Sequence, residues 1–63
     1  MKSGYILKSP FDFDNAMFFG VPVIVLQNDR ILDYGGPIER HTELSVTING
    51  AKFLKAVCEF KVR

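Results

Sequence analysis

The chain has 63 residues, 48% of them hydrophobic, with six Phe, two Tyr, no Trp and a formal net charge of +1. That length suits a single small domain over residues 1–63, one that buries only roughly 60% of its unfolded surface. A near-neutral balance excludes bulk electrostatic capture of a polyanion, and the one cysteine excludes an internal disulfide or a multi-cysteine metal site.

Gly4–Lys8 reads as a short strand ended by Ser9-Pro10. In Phe11–Phe19, Phe11 and Phe13 alternate with Asp12 and Asp14, which suits extended backbone. Asp14 could equally N-cap one helical turn through Asn15–Phe18 before Gly20 stops it. The segment is predicted as an irregular loop or one short turn. Asp12-Phe13-Asp14-Asn15 resembles the opening of a calcium-binding EF-hand loop, but the required Gly and Glu positions fall on Met17 and Val23.

The apolar run Ala16–Leu26 is too short for a bilayer span, which takes about 20 residues. Acidic residues precede it and Gln27-Asn28-Asp29-Arg30 follow, unlike a secretory signal. It reads as a buried strand in a cytoplasmic protein. Within it, Val21–Gln27 is apolar on both faces, so the strand is central or covered twice. Pro22 belongs at its start or on an unpaired edge, because it has no N–H to donate.

Asn28-Asp29 is a turn by composition, and Arg30–Tyr34 returns from it. Gly35-Gly36-Pro37 then interrupts a strand that reaches Thr42. Such a break either lets one strand bend and serve two sheets or marks an ordinary hairpin loop.

Leu44–Arg63 carries the clearest pattern. Leu44, Val46 and Ile48 share one face, Asn49-Gly50 supplies a type I′ hairpin signal, and Ala51–Leu54 pairs back. Alternation fails between Phe53 and Val57, where one tight helical turn absorbs the phase shift. Cys58, Phe60 and Val62 then face inward, the first as an inert thiol. The sum is an all-β domain of about five short antiparallel strands, arranged as a small barrel.

Gly20, Val21, Val23 and Val25, then Gly35-Gly36 before Ile38, then Val46 and Ile48, resemble the SH3-like barrel of KOW- and Tudor-type domains. The short turn at Leu54–Val57 ahead of Glu59–Val62 also fits. The resemblance covers about Gly20–Arg63 and implies a five-stranded antiparallel barrel, with an irregular N-terminal segment outside it. The chain is also similar to small uncharacterised proteins of bacilli and their phages.

Chemistry is sparse. His41 is the one histidine, and a nucleophile would have to be Ser45 or Cys58 on elements whose side chains diverge. No enzymatic activity, cofactor, metal site or small-molecule substrate is expected. Two binding surfaces remain. Lys52, Lys55, Lys61 and Arg63 cluster near the C-terminus; pairing of the last two strands would put Lys52, Lys61 and Arg63 on one outward face. Tyr34 and Phe53 beside it would offer stacking surfaces to single-stranded nucleic acid. The bland alternative is a solvated strand whose lysines keep an edge soluble. Phe11, Phe13, Phe18 and Phe19 form the second surface, for a protein partner or a second copy, unless they cap an open barrel end.

Overall fold

The computed structural model describes residues 1–63, and the first segment to depart from expectation is the N-terminal one. Pro10–Phe19 forms a ten-residue helix, α1, rather than a loop or single turn. Its start is fixed by Ser9, not Asp14. The Ser9 hydroxyl accepts from the Asp12 N–H at 3.2 Å, and the Asp12 carboxylate accepts from the Ser9 N–H at 3.2 Å. This reciprocal box satisfies two donors that a helix end leaves bare, and Pro10 occupies a first-turn site where its missing N–H costs nothing. Gly20 ends the helix at φ 64°, in the left-handed region.

Five strands follow: β1 (Pro22–Gln27), β2 (Arg30–His41), β3 (Ser45–Ile48), β4 (Ala51–Leu54) and β5 (Glu59–Val62). All pairings are antiparallel, in the order β4-β3-β2-β1-β5. The fold is thus mostly β with one short helix. The two ends of that order do not pair, so the sheet is not closed.

The twelve residues of β2 make the sheet bend. Its first part, through Pro37, pairs with β1, whereas Ile38–His41 pairs with β3. Between them Gly35 has φ 119°, and a Cβ there would sit 2.9 Å from the Val23 carbonyl oxygen. Only glycine permits both the dihedral and that approach. The expected strand break is therefore the corner of the fold.

Chain direction reverses at two turns with left-handed central residues: Asn28-Asp29 (φ 51° and 63°) and Asn49-Gly50 (φ 52° and 78°). A third link, of three residues, joins β2 to β3. The Thr42 N–H bonds the Ser45 carbonyl at 2.8 Å, which puts Glu43-Leu44 at a hairpin tip. Leu44 is consequently 72% exposed. The period-two pattern placed it inward beside Val46 and Ile48, but Leu44 precedes the strand and escapes the pleat.

A single helical turn after Leu54 carries the chain from β4 to β5, with the Val57 and Cys58 N–H groups both donating to the Leu54 carbonyl. β5 then lies between β1 and an N-terminal strap. Leu7 N–H donates to Phe60 O at 2.8 Å, Val62 N–H to Tyr5 O at 2.9 Å and Gly4 N–H to Val62 O at 2.7 Å. The expected first strand is this strap, with one ladder bridge, Ile6 to Lys61.

The dry centre holds Leu7, Phe13, Ala16, Val23, Val25, Ile38, Val46, Ile48, Phe60 and Val62, with Val21, Phe53 and Cys58 partly buried against it. Phe13 meets Phe60 edge-on, ring centroids 5.4 Å apart, a favourable aromatic geometry. α1 thus lids the sheet through two residues of one face, Phe13 and Ala16.

Candidate functional site

The four phenylalanines of α1 separate into two groups. Phe13, counted at the sequence level among the interface candidates, is 2% exposed and belongs to the core. Phe11, Phe18 and Phe19 are 70%, 82% and 65% exposed. At 3.6 residues per turn, Phe11 and Phe18 lie two turns apart on one stripe, opposite the Phe13/Ala16 face. Phe19 lies edge-on to Phe18 with ring centroids 5.1 Å apart. The three rings expose about 400 Å² together, taking about 200 Å² for each full side chain, an area of the order of the largest apolar patch on a typical monomer, which is often functional.

Two carboxylates pin the helix on either flank of that stripe. Asp12 accepts from the Lys8 N–H at 3.0 Å, from the Ser9 N–H, and from the Tyr5 hydroxyl at 3.2 Å. The two backbone donors hold its carboxyl below the usual aspartate range, and the hydrogen bond to Asp12 raises the Tyr5 phenol in turn. On the other flank Asp14 meets Nε2 of His41 at 2.6 Å. The His41 side chain is only 10% exposed, its ring 5.7 Å from that of Phe13, and its Nδ1 is buried without a partner. With the proton on Nε2, the ring donates to Asp14 and leaves only a bare lone pair inside, the less costly orphan.

The imidazole is committed to the helix on one side and faces no nucleophile on the other. Ser45 is buried, with its hydroxyl 3.1 Å from that of Thr42. No three His, Cys, Asp or Glu side chains converge as a metal site would require. No helix is long and apolar enough to cross a membrane.

The basic cluster does not assemble as the sequence suggests. β4 and β5 stand at opposite ends of the strand order and do not pair, so strand pairing does not place Lys52 beside Lys61 and Arg63. Lys52 lies opposite Thr47, and its neighbour Phe53 turns inward opposite the buried Val46. Phe53 is therefore partly buried against the core, with only a minor part of its ring exposed. Lys55, in the turn after β4, places its ammonium 4.2 Å from the Phe13 ring centroid, a cation–π contact with the core aromatic.

What does come together is Tyr34 and Arg63, with Lys61 two residues before Arg63 on the same strand side. Lys61 stands opposite Ile24, whose neighbours Val23 and Val25 point inward, so this pair is on the outer face. Tyr34 is 65% exposed, and the Arg63 guanidinium carbon lies 5.7 Å from its ring centroid. Glu59, two residues before Lys61, offsets part of the charge.

The sequence signalled the phenylalanines without separating inward from outward rings. It gave no local signal for the His41–Asp14 contact, whose partners are 27 residues apart. Compared with protein-family models, curated proteins and solved structures, the chain matches none.

Proposed function

We propose that the protein is a non-catalytic docking module, acting in the cytoplasm through protein–protein contact on the outward stripe of α1. One observation carries the reading. Phe11 and Phe18 point away from a core already filled by Phe13 and Ala16, at 70% and 82% exposure. A helix apolar on both sides needs a cover on both, and this chain supplies only one. The fold beneath it is an SH3-like barrel in this reading, supported by the strand order, the bent β2 shared between two pairings, and the helical turn ahead of β5. The rigid lid then presents its aromatics at little ordering cost.

The test uses matched baits. Nuclease-treated lysate is passed over immobilised wild-type protein and over the Phe18→Glu variant, and retained proteins are identified by mass spectrometry. Proteins held by the first and lost from the second are expected. Identical profiles overturn the reading.

A second reading rests on a different observation, the Tyr34–Arg63 contact beside Lys61. An exposed ring in contact with one cation, on a strand that carries a second, suits a base stacked over a tracked phosphate backbone. Salt-sensitive binding of a single-stranded oligonucleotide, weakened by Tyr34→Ala, is its expected result. A flat titration at low salt and tens of micromolar protein excludes it.

A further inference from the structure

We infer that Asn49 is a site of spontaneous deamidation, guarded by the clasp it makes to β2, and that its conversion releases the β3–β4 hairpin for good. Docking plays no part in it, and the one co-reactant is water.

Asparagine is among the thermolabile side chains, and its loss runs through the backbone nitrogen of the next residue. That nitrogen gives up its proton, and its electron pair forms a bond to the side-chain Cγ. The Cγ–Nδ2 bond breaks and ammonia leaves. Water then opens the cyclic imide at either carbonyl, giving aspartate or its β-linked isomer, which carries an extra methylene in the main chain. Overall, an amide and water become a carboxylate and ammonium. A following glycine, with no Cβ, leaves the attacking nitrogen open.

Of the three asparagines, only Asn49 precedes a glycine. Asn15 lies inside α1, where N–H groups are bonded along the helix. Asn28 precedes Asp29, whose side chain crowds the nitrogen and whose charge opposes its loss of a proton. Asn49 and Gly50 are both exposed, and no atom stands within 4 Å of where a Gly50 Cβ would lie.

The folded turn holds this reaction back. Asn49 Nδ2 donates to the Asp33 carboxylate, at 3.1 Å from one oxygen and 3.4 Å from the other. The side chain is seated over Gly36, where an added Cβ would be 3.4 Å from Asn49 Cγ. The Gly50 N–H in turn donates to Glu39 Oε1 at 3.3 Å. Ring closure draws Cγ onto the Gly50 nitrogen, so both bonds have to open first. The two carboxylates also disfavour negative charge on that nitrogen. Reaction therefore proceeds from molecules whose clasp has opened in a local fluctuation. Opening is reversible beforehand and permanent afterwards. The product sets a carboxylate in place of the donor against Asp33, which keeps only the Gly35 N–H at 2.8 Å. The outermost strand, β4, pairs only with β3, and the hairpin loses its tie to the bend.

Incubation of the full chain in neutral buffer, folded and in concentrated urea, tests this by peptide mass mapping, which reads the exchange of –NH2 for –OH at each asparagine. In urea, Asn49 should convert ahead of Asn15 and Asn28. In the folded chain it should slow by about 10-fold or more, the population cost of opening a hydrogen bond to a charged group. Asp33→Ala should remove most of that protection, and Glu39→Gln, at an exposed position, should lower it a few-fold. Circular dichroism checks that each variant is folded, and where Asp33→Ala is not, Glu39→Gln decides alone. Converted wild-type protein, separated by its added negative charge, should unfold at lower urea than the parent. Folded-state conversion as fast as that in urea overturns the proposal, as does a folded Glu39→Gln variant protected as well as wild type. No conversion at Asn49 in either state removes the site, and a converted fraction with an unchanged urea midpoint overturns the release of the hairpin.

Discussion

The Asn28-Asp29 and Asn49-Gly50 turns have nearly the same backbone and different work. Both place two central residues in the left-handed region, as two-residue hairpins demand. Asn28 and Asp29 stand exposed at a tip, and their contribution is local. Asn49 reaches across to β2, where its amide donates to the Asp33 carboxylate at 3.1 Å. The same carboxylate accepts from the Gly35 N–H at 2.8 Å, at the corner of the bent strand. Gly36 leaves room for this, since a Cβ there would approach the Asn49 side chain to 3.0 Å. One turn is punctuation; the other clasps the β3–β4 hairpin to the bend. Equal dihedrals do not imply equal energetic roles.

Substitutions at the two turns can break or sharpen that contrast. The largest effect is expected from Asn49→Asp, which replaces an amide donor with a carboxylate facing Asp33. A loss of about 2–3 kcal/mol in urea unfolding at pH 7 should result, from the missing bond and the new repulsion. Protonating either carboxylate would relieve that repulsion, so the variant should regain stability as pH falls. Asn28→Asp should show neither the loss nor the recovery. Equal behaviour of the two aspartate variants would abolish the distinction between clasp and punctuation.

Gly50→Ala should cost about 1 kcal/mol, because φ 78° strains any L side chain while no atom within 4 Å obstructs the methyl. The smallest change, and the one of opposite sign, is Asp29→Gly. It relieves a left-handed non-glycine residue at φ 63° and should add about 0.5 kcal/mol, read as a rise in the urea midpoint. A fall in that midpoint would mean that the Asp29 side chain contributes something beyond its backbone.

Much of the β architecture was legible because its signals are local. Alternation in Val46–Ile48 and Cys58–Val62, the Asn-Gly corner and the Gly35-Gly36 interruption each report on adjacent backbone. The helix was hidden by competing chemistry. Phe11-Asp12-Phe13-Asp14 alternates like a strand, while the true start, Ser9-Pro10 with Asp12 three residues after the serine, reads as a strand's end. Rings on both sides of α1 also erase the one-sided periodicity that announces a surface helix. The basic face failed for a topological reason. Consecutive strands usually neighbour each other, but the turn after Leu54 carries the chain past β4 to the far side of β1, and Lys52 is left behind. The surviving trio of Tyr34, Lys61 and Arg63 depends on pairings between distant segments, which no short window of residues contains.

The N-terminal strap has a consequence for how quickly this molecule can form. Leu7 and Gly4 bond to Phe60 and Val62, so the last strand is held by residues more than fifty positions away. Closing so wide a span early is entropically costly, and chains dominated by such distant pairings fold slowly. Joining the two ends through a short linker, with no new opening, would turn that remote meeting into a neighbouring one. A head-to-tail cyclised chain of this kind should fold faster while keeping the same interior.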